Sequence, residues 1–114
     1  MKITTLKENR DFVRAYKKGR CCVSPDLVTY ITENKKNNLQ IGVTTAKKVG
    51  NAVRRSRSRR VIRAAYTSLC PQIKKGYNIV FVARTATAER KSYEIERTMR
   101  SHLKKAGILK GSVK

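Results

Sequence analysis

Acidic residues are scarce: seven Asp and Glu stand against 28 Lys and Arg in 114 residues, a formal charge of +21. Between Glu33 and Glu89 there is none, although that interval carries 13 lysines and arginines. So lopsided a chain repels itself unless counterions or a polyanion neutralise it. Nucleic acid heads the candidate partners and an anionic membrane surface follows. Cysteines are few: Cys21 and Cys22 are adjacent and Cys70 is isolated. No CxxC pair or Cys/His cluster has zinc-site spacing, so plain thiols in a reducing compartment are expected. The single histidine, His102, falls on an apolar stripe with no Ser or Cys partner in the pattern, which favours a packed or capping role over catalysis. Glu8 and Asp11 could share a metal, but helix capping and the helix dipole account for both. No GxxxxGK[ST] loop is present. No apolar run approaches the ~20 residues of a membrane span, and Met1-Lys2-Ile3-Thr4 opens no signal peptide. A soluble cytoplasmic protein is expected, with no membrane partner, no small-molecule substrate, no metal site and no catalytic residue of its own.

What is present is arginine. The stretch Lys47-Lys48-Val49-Gly50-Asn51-Ala52-Val53-Arg54-Arg55-Ser56-Arg57-Ser58-Arg59-Arg60-Val61-Ile62-Arg63 holds six arginines in the ten residues from Arg54 to Arg63. At about 100° per residue, Ser58, Val61, Ile62, Ala65, Tyr66 and Leu69 share one arc of a helix, while Arg57, Arg59, Arg60 and Arg63 take the other. A disordered basic arm would show no such segregation. Arg54 and Arg55 project toward the apolar side, but in a first turn that can overhang the sheet. Asn51 is a suitable N-cap and Cys70-Pro71 a suitable stop, so the pattern predicts an amphipathic helix over Ala52 to Leu69. A membrane-surface helix would need that apolar face for lipid; here the core requires it.

In chain order, Thr5-Leu6-Lys7-Glu8 matches a capping box, followed by a helix to about Lys18 with Gly19 as a left-handed stop. Phe12 and Tyr16, four apart, share a face that either packs in the core or stacks on bases. Arg20 to Ser24 reads as a polar connection and Pro25-Asp26 as a turn. Leu27 to Thr32 and Leu39 to Thr45 read as strands joined by a hairpin loop over Glu33 to Asn38. Gly42 marks a bulge or a close approach to the backbone. Tyr77 to Ala83 is the most apolar run, a central strand buried on both faces. Arg84 to Lys91 is a loop. Ser92 caps a last helix whose stripe is Ile95, Met99, His102, Leu103 and Ala106, ended by Gly107. The order helix, strand, strand, helix, strand, helix predicts an α+β fold: a two-layer α/β sandwich with helices packed on a mixed sheet of about four strands. A chain of this length suits one RNA-binding domain over residues 1–114, burying roughly 65% of its unfolded surface, with residues 110–114 frayed. An arginine face with Phe12, Tyr16 and Tyr30 suits structured RNA carrying a single-stranded extension.

The long basic stretch resembles the signature of the bacterial ribonuclease P protein component. Leu6…Asp11-Phe12, Leu27-Val28-Thr29-Tyr30, Ile79-Val80-Phe81-Val82-Ala83-Arg84 and Ser92-Tyr93-Glu94 follow in the family's order. The resemblance covers nearly the whole chain. It implies a ribosomal-protein-like α/β sandwich with a left-handed β-α-β crossover, against the usual hand. It also implies a subunit of a ribonucleoprotein endonuclease that removes the 5′ leader of precursor tRNA. The catalyst there is a large RNA, and magnesium is bound mainly by that RNA. The family's Arg-Asn-Arg centre maps onto Arg55-Ser56-Arg57, with serine in place of asparagine. Lys47, Asn51, Arg54, Arg55, Ser56, Arg57, Arg59, Arg60 and Arg63 would meet the catalytic RNA. Phe12, Tyr16, Tyr30 and Lys48 match the family's leader-binding cleft. The alternative is a ribosomal or RNA-chaperone protein with no role in cleavage.

Overall fold

A computed structural model describes residues 4–6 and 9–110, with the side chains of Thr4, Thr5 and Lys47 left out. The elements are β1 (Thr4–Thr5), α1 (Asn9–Lys18), β2 (Arg20–Ser24), β3 (Leu27–Glu33), β4 (Leu39–Thr45), α2 (Ala52–Leu69), β5 (Tyr77–Ala83) and α3 (Ser92–Lys105). Short 3-10 turns at Lys47–Val49, Cys70–Gln72 and Thr85–Glu89 join them. The strands form one mixed sheet in the order β1-β4-β5-β3-β2. β4 and β5 are parallel neighbours joined through α2, a β-α-β unit, while β3 pairs antiparallel with both β5 and β2. The α+β class and the sandwich are as the sequence predicts.

Three differences concern the sheet. β3 and β4 are not a hairpin, because β5 inserts between them; the Glu33–Asn38 loop therefore crosses over a strand. Nothing local reveals this, since the inserted strand begins at Tyr77, 32 residues after β4 ends at Thr45. Arg20–Ser24 is a strand, not a connection: it pairs with β3 from Arg20↔Ile31 to Ser24↔Leu27, turning at Pro25-Asp26. Its polar composition is that of an edge strand with only one neighbour to satisfy. Thr5 lies in β1, paired with Ile41, and so does not cap α1; Glu8 falls outside the described residues, as do residues 111–114.

The helix ends also differ in detail. Gly19 is not left-handed; among the described glycines only Gly50, Gly76 and Gly107 have positive φ. Gly19 is required for space, since a Cβ there would lie 2.5 Å from the Ala15 carbonyl oxygen. Lys91, not Ser92, precedes the first turn of α3, and its backbone N–H donates to Glu94 Oε1 at 2.9 Å. The Asn51 cap stands as predicted: Oδ1 accepts from the Arg54 N–H at 3.0 Å. α2 stops at Leu69, before Pro71.

Alternation along the strands divides the sheet into two faces. Leu27 and Ile31, Leu39 and Ile41, and Ile79 and Phe81 point to one side, where α2 contributes Ile62, Ala65 and Leu69 and α3 contributes Ile95, Met99 and Leu103. Each large aliphatic side chain buried there contributes about 1.5–3 kcal/mol before entropy is counted. The other face carries α1 over Val80, with Leu6, Ala15 and Phe12 in a smaller cluster. β5 is covered on both sides, as its apolar run from Ile79 to Ala83 requires.

His102 is a packed residue, 2% exposed, held between two hydroxyls: Ser24 at Nε2 and Thr29 at Nδ1, both at 2.8 Å. Burial, and next the Lys105 ammonium, lower its pKa below the ordinary value, against a smaller opposing pull from Asp26. The unfolded chain therefore takes up a proton at higher pH than the folded chain does. The stabilisation is full above about pH 6.5 and is lost as pH falls toward the depressed folded value. Urea unfolding at pH 7.5 and 5.5 should show lower stability at 5.5, and His102→Gln should flatten that difference.

Candidate nucleic-acid interface

α2 presents two unlike faces. Ser58, Ile62, Ala65, Tyr66 and Leu69 are buried, with Val61 packed partly against them. Ser58, the one aliphatic hydroxyl among them, donates to the Arg54 carbonyl at 2.9 Å and so satisfies itself within the helix. The arginines then divide by what they touch. Arg54 is a clamp: Nε donates to the Val49 carbonyl at 3.0 Å, and Nη2 reaches the Thr85 carbonyl at 3.1 Å and Glu89 Oε2 at 3.4 Å. It ties the start of α2 to the turns on either side. Gly50 permits this, because with φ of +128° it suits no L side chain, and a Cβ there would meet Arg54 Cδ at 2.8 Å.

Arg57 is exposed but anchored, its Nε donating to the Ala88 carbonyl at 2.6 Å. Arg59 is half-buried and bonds two hydroxyls, Thr45 Oγ1 at 3.4 Å and Ser56 Oγ at 3.3 Å. Arg55 is half-buried; Arg60 and Arg63 are exposed, as are Asn51 and Ser56. Among the described residues, Arg54 is the one arginine of α2 paired with a carboxylate. The remainder of the ridge keeps its charge for a partner, with Arg57 and Arg59 aimed by neutral acceptors that leave the charge unopposed. The Lys47 side chain lies outside the described residues.

On the opposite face of the sheet a groove of about 360 Å³ is lined by Val23, Val28, Tyr30, Val82, Lys48 and Arg84, among others. The strand register accounts for it. Val23 faces Val28 across β2 and β3, Cys21 faces Tyr30, and Val28 pairs with Val82. α1 covers only part of this face, which leaves Val23 61% exposed. Tyr16 bounds the uncovered part, its ring edge-on to Tyr30 at 5.0 Å between centroids and its hydroxyl 3.4 Å from Thr44 Oγ1. Burial, and next the Cys21 thiol, raise the Tyr30 pKa above 10.0, so its hydroxyl remains a donor at neutral pH. Phe12 lies deeper, half-buried, its ring 2.7 Å from where a Cβ on Gly42 would stand. Gly42 thus marks a close approach, not a bulge.

The structure therefore places Tyr30 and Lys48 in the lining of one groove, sets Tyr16 against Tyr30, and packs Phe12 outside that lining, against the cluster of Leu6, Ala15 and Val80. Arg84 and Val23 were missed as lining residues. Val23 lies on the strand read as a connection, while Arg84 follows directly on β5 and was legible from that position. The three cysteines are free, and Cys70 is buried. No helix among the described residues is long and apolar enough to cross a membrane.

A helical ridge of unopposed guanidinium groups beside an aromatic groove, on an α/β sandwich, defines a protein built to hold a polyanion. A sequence profile for the family described as Ribonuclease P matches residues 1–107. The ribonuclease P protein component of Clostridium beijerinckii is 39% identical, the match covering 93% of this chain and 90% of that one. That of Clostridioides difficile is 36% identical over 90% and 91%. The solved Staphylococcus aureus RNase P protein superposes with a TM-score of 0.81 at 30% identity, covering 94% of this chain and 98% of the other. The Thermotoga maritima RNase P protein shares the fold, with a TM-score of 0.78. The chain belongs to the ribonuclease P protein component family, the RNA-binding subunits of a ribonucleoprotein endoribonuclease.

Gly42→Ala should press a methyl group into the Phe12 ring and destabilise the fold by about 1–3 kcal/mol, read as a lower urea midpoint at unchanged slope.

Proposed function

We propose that this chain, acting in the cytoplasm as one RNA-binding domain, holds the catalytic RNA on the α2 ridge and the 5′ leader of precursor tRNA in the groove beside α1. The observation that carries the reading is continuity. Lys48 and Val49 line the groove, and Asn51 begins the helix two residues later, so the cationic ridge starts where the groove ends. Arg59 reinforces the junction through Thr45, the last residue of β4. The carboxylate at this junction, Glu89, is paired with Arg54.

The roles follow from side-chain chemistry. Arg60 and Arg63 present planar forks to phosphate oxygens, with Arg55 and Arg57 beside them. Ser56 offers a hydroxyl where the family has an amide, and here it is engaged by Arg59. Tyr16 and Tyr30 offer ring faces and edges to unpaired bases, each such stack being worth ~1–3 kcal/mol. Lys48 supplies counter-charge at the groove wall. Phe12 packs against the cluster of Leu6, Ala15 and Val80 and helps seat α1 beside the groove.

Magnesium, in this reading, would be held by the catalytic RNA and would supply Lewis-acid chemistry for the hydrolysis there. Among the described residues no group of three or more His, Cys, Asp or Glu comes together to hold a metal.

Cleavage of precursor tRNA by the catalytic RNA, with and without this protein at low magnesium and moderate salt, tests the proposal. The protein should tighten leader-bearing precursor and lower the magnesium requirement. If neither moves, the chain is an RNA-binding structural or chaperone protein. Arg60→Ala should flatten the salt dependence of catalytic-RNA binding by about one unit, without loss of stability. Phe12→Ala in the assembled enzyme should weaken leader-bearing precursor more than mature tRNA; equal losses, checked by circular dichroism, would indicate a folding defect.

A further inference from the structure

α1 divides the sheet face it covers. Taken around the helix at about 100° per residue from buried Ala15, Phe12 and Tyr16 fall on one flank, while Asp11, Arg14 and Lys18 fall on the other. The Phe12–Tyr16 flank borders the groove described above. The other flank borders a second concavity, at the opposite end of the strands. It has two adjoining parts. One, of about 420 Å³, lies among Arg14, Lys18, Arg20 and the end of β3 from Ile31 to Glu33. The other, of about 320 Å³, lies among Arg14, Glu33 and the Asn34–Lys36 loop, with Gln40 and Asn78 on its floor. Arg14 and Glu33 belong to both parts, so the two form one trough.

The trough has the features of a phosphate track. Among the described residues, Arg14, Lys18, Arg20, Lys35 and Lys36 line it against two carboxylates, Asp11 and Glu33, a net of three positive charges. No ion pair among the described residues joins these cations to either carboxylate. The loop carrying Lys35 and Lys36 is preorganised. The Asn34 N–H donates to the Gly76 carbonyl at 2.9 Å, the Gly76 N–H donates to the Asn38 carbonyl at 2.8 Å, and Asn34 Nδ2 donates to Asn78 Oδ1 at 2.7 Å. No aromatic ring lines either part. Its chemistry is charge and amides, suited to phosphate and sugar, with no ring on which a base could stack.

We propose that this trough binds the phosphodiester backbone of an RNA segment distinct from the one in the aromatic groove, so that α1 is straddled by RNA on both flanks. The proposal rests on RNA being the partner, but not on the leader occupying the groove. The segment belongs either to the catalytic RNA or to the precursor. Both present the same phosphates.

The test is the double variant Arg14→Gln/Lys18→Gln, assembled with catalytic RNA and assayed between 50 and 400 mM monovalent salt. One arm measures protein binding to catalytic RNA without substrate. The other measures precursor binding by the assembled enzyme, with leaders of increasing length. The slope of log affinity against log salt should flatten in one arm, by about 1.4 if the segment is single-stranded and about 1.8 if it is helical. The arm that responds identifies the source. Circular dichroism and a thermal melt of the variant should match the parent, since both side chains lie on an exposed helix flank. Lys35→Gln/Lys36→Gln, in a different element, should reproduce the effect and separates it from damage to α1. Unchanged slopes in both arms for both variants overturn the trough. If Arg60→Ala flattens the slope while these variants do not, the α2 ridge stands and the trough alone fails.

Discussion

The physical constraint on which this molecule depends is that α2 must be held by its back. Six arginines crowd the ten residues from Arg54 to Arg63, and an isolated helix with that composition would be pushed apart by its own charge. Here Ile62, Ala65 and Leu69 are buried to within 1% of completely against the sheet and α3. Hydrophobic burial on one side sets the geometry of charge on the other. The repulsion that remains is what a polyanion relieves on binding, so part of the binding free energy is already present in the free protein as unfavourable electrostatics.

Neutral acceptors complete this arrangement. A carboxylate partner would fix an arginine but also cancel it. Arg57 is positioned by the Ala88 carbonyl and Arg59 by the hydroxyls of Thr45 and Ser56, which orient the guanidinium and leave its charge intact. Arg54 is the exception, since it meets Glu89 and two carbonyls. Its position at the first turn explains the difference: there it joins the helix to the turns at Lys47–Val49 and Thr85–Glu89, and it serves the fold more than a ligand.

The groove follows from a mismatch of size. Helix α1 has ten residues and lies over a sheet whose other face carries two longer helices. It covers Val80 and leaves Val23, Val28 and Val82 at the edge of cover. Close seating is possible because Gly42 admits the Phe12 ring. On its far flank the same helix borders a trough of amides and cations. One short helix thereby separates an apolar, aromatic concavity from a polar, basic one.

The sequence by itself determined the helix boundaries of α2, the segregation of its arginines, the double burial of Tyr77–Ala83, the packed histidine and the α+β class. All of these are local periodicities or capping signals, carried by residues near one another in the chain. The long arginine signature also identified the family. Only the tertiary structure decided that β5 lies between β3 and β4, that Arg20–Ser24 completes the sheet as an edge strand, and that Thr5 joins β1 instead of capping α1. Strand order depends on pairings between residues far apart in sequence, and an edge strand needs no apolar alternation to announce it. Which arginines are clamped and which remain available was likewise invisible from composition, because their partners are backbone carbonyls and hydroxyls brought close only by folding.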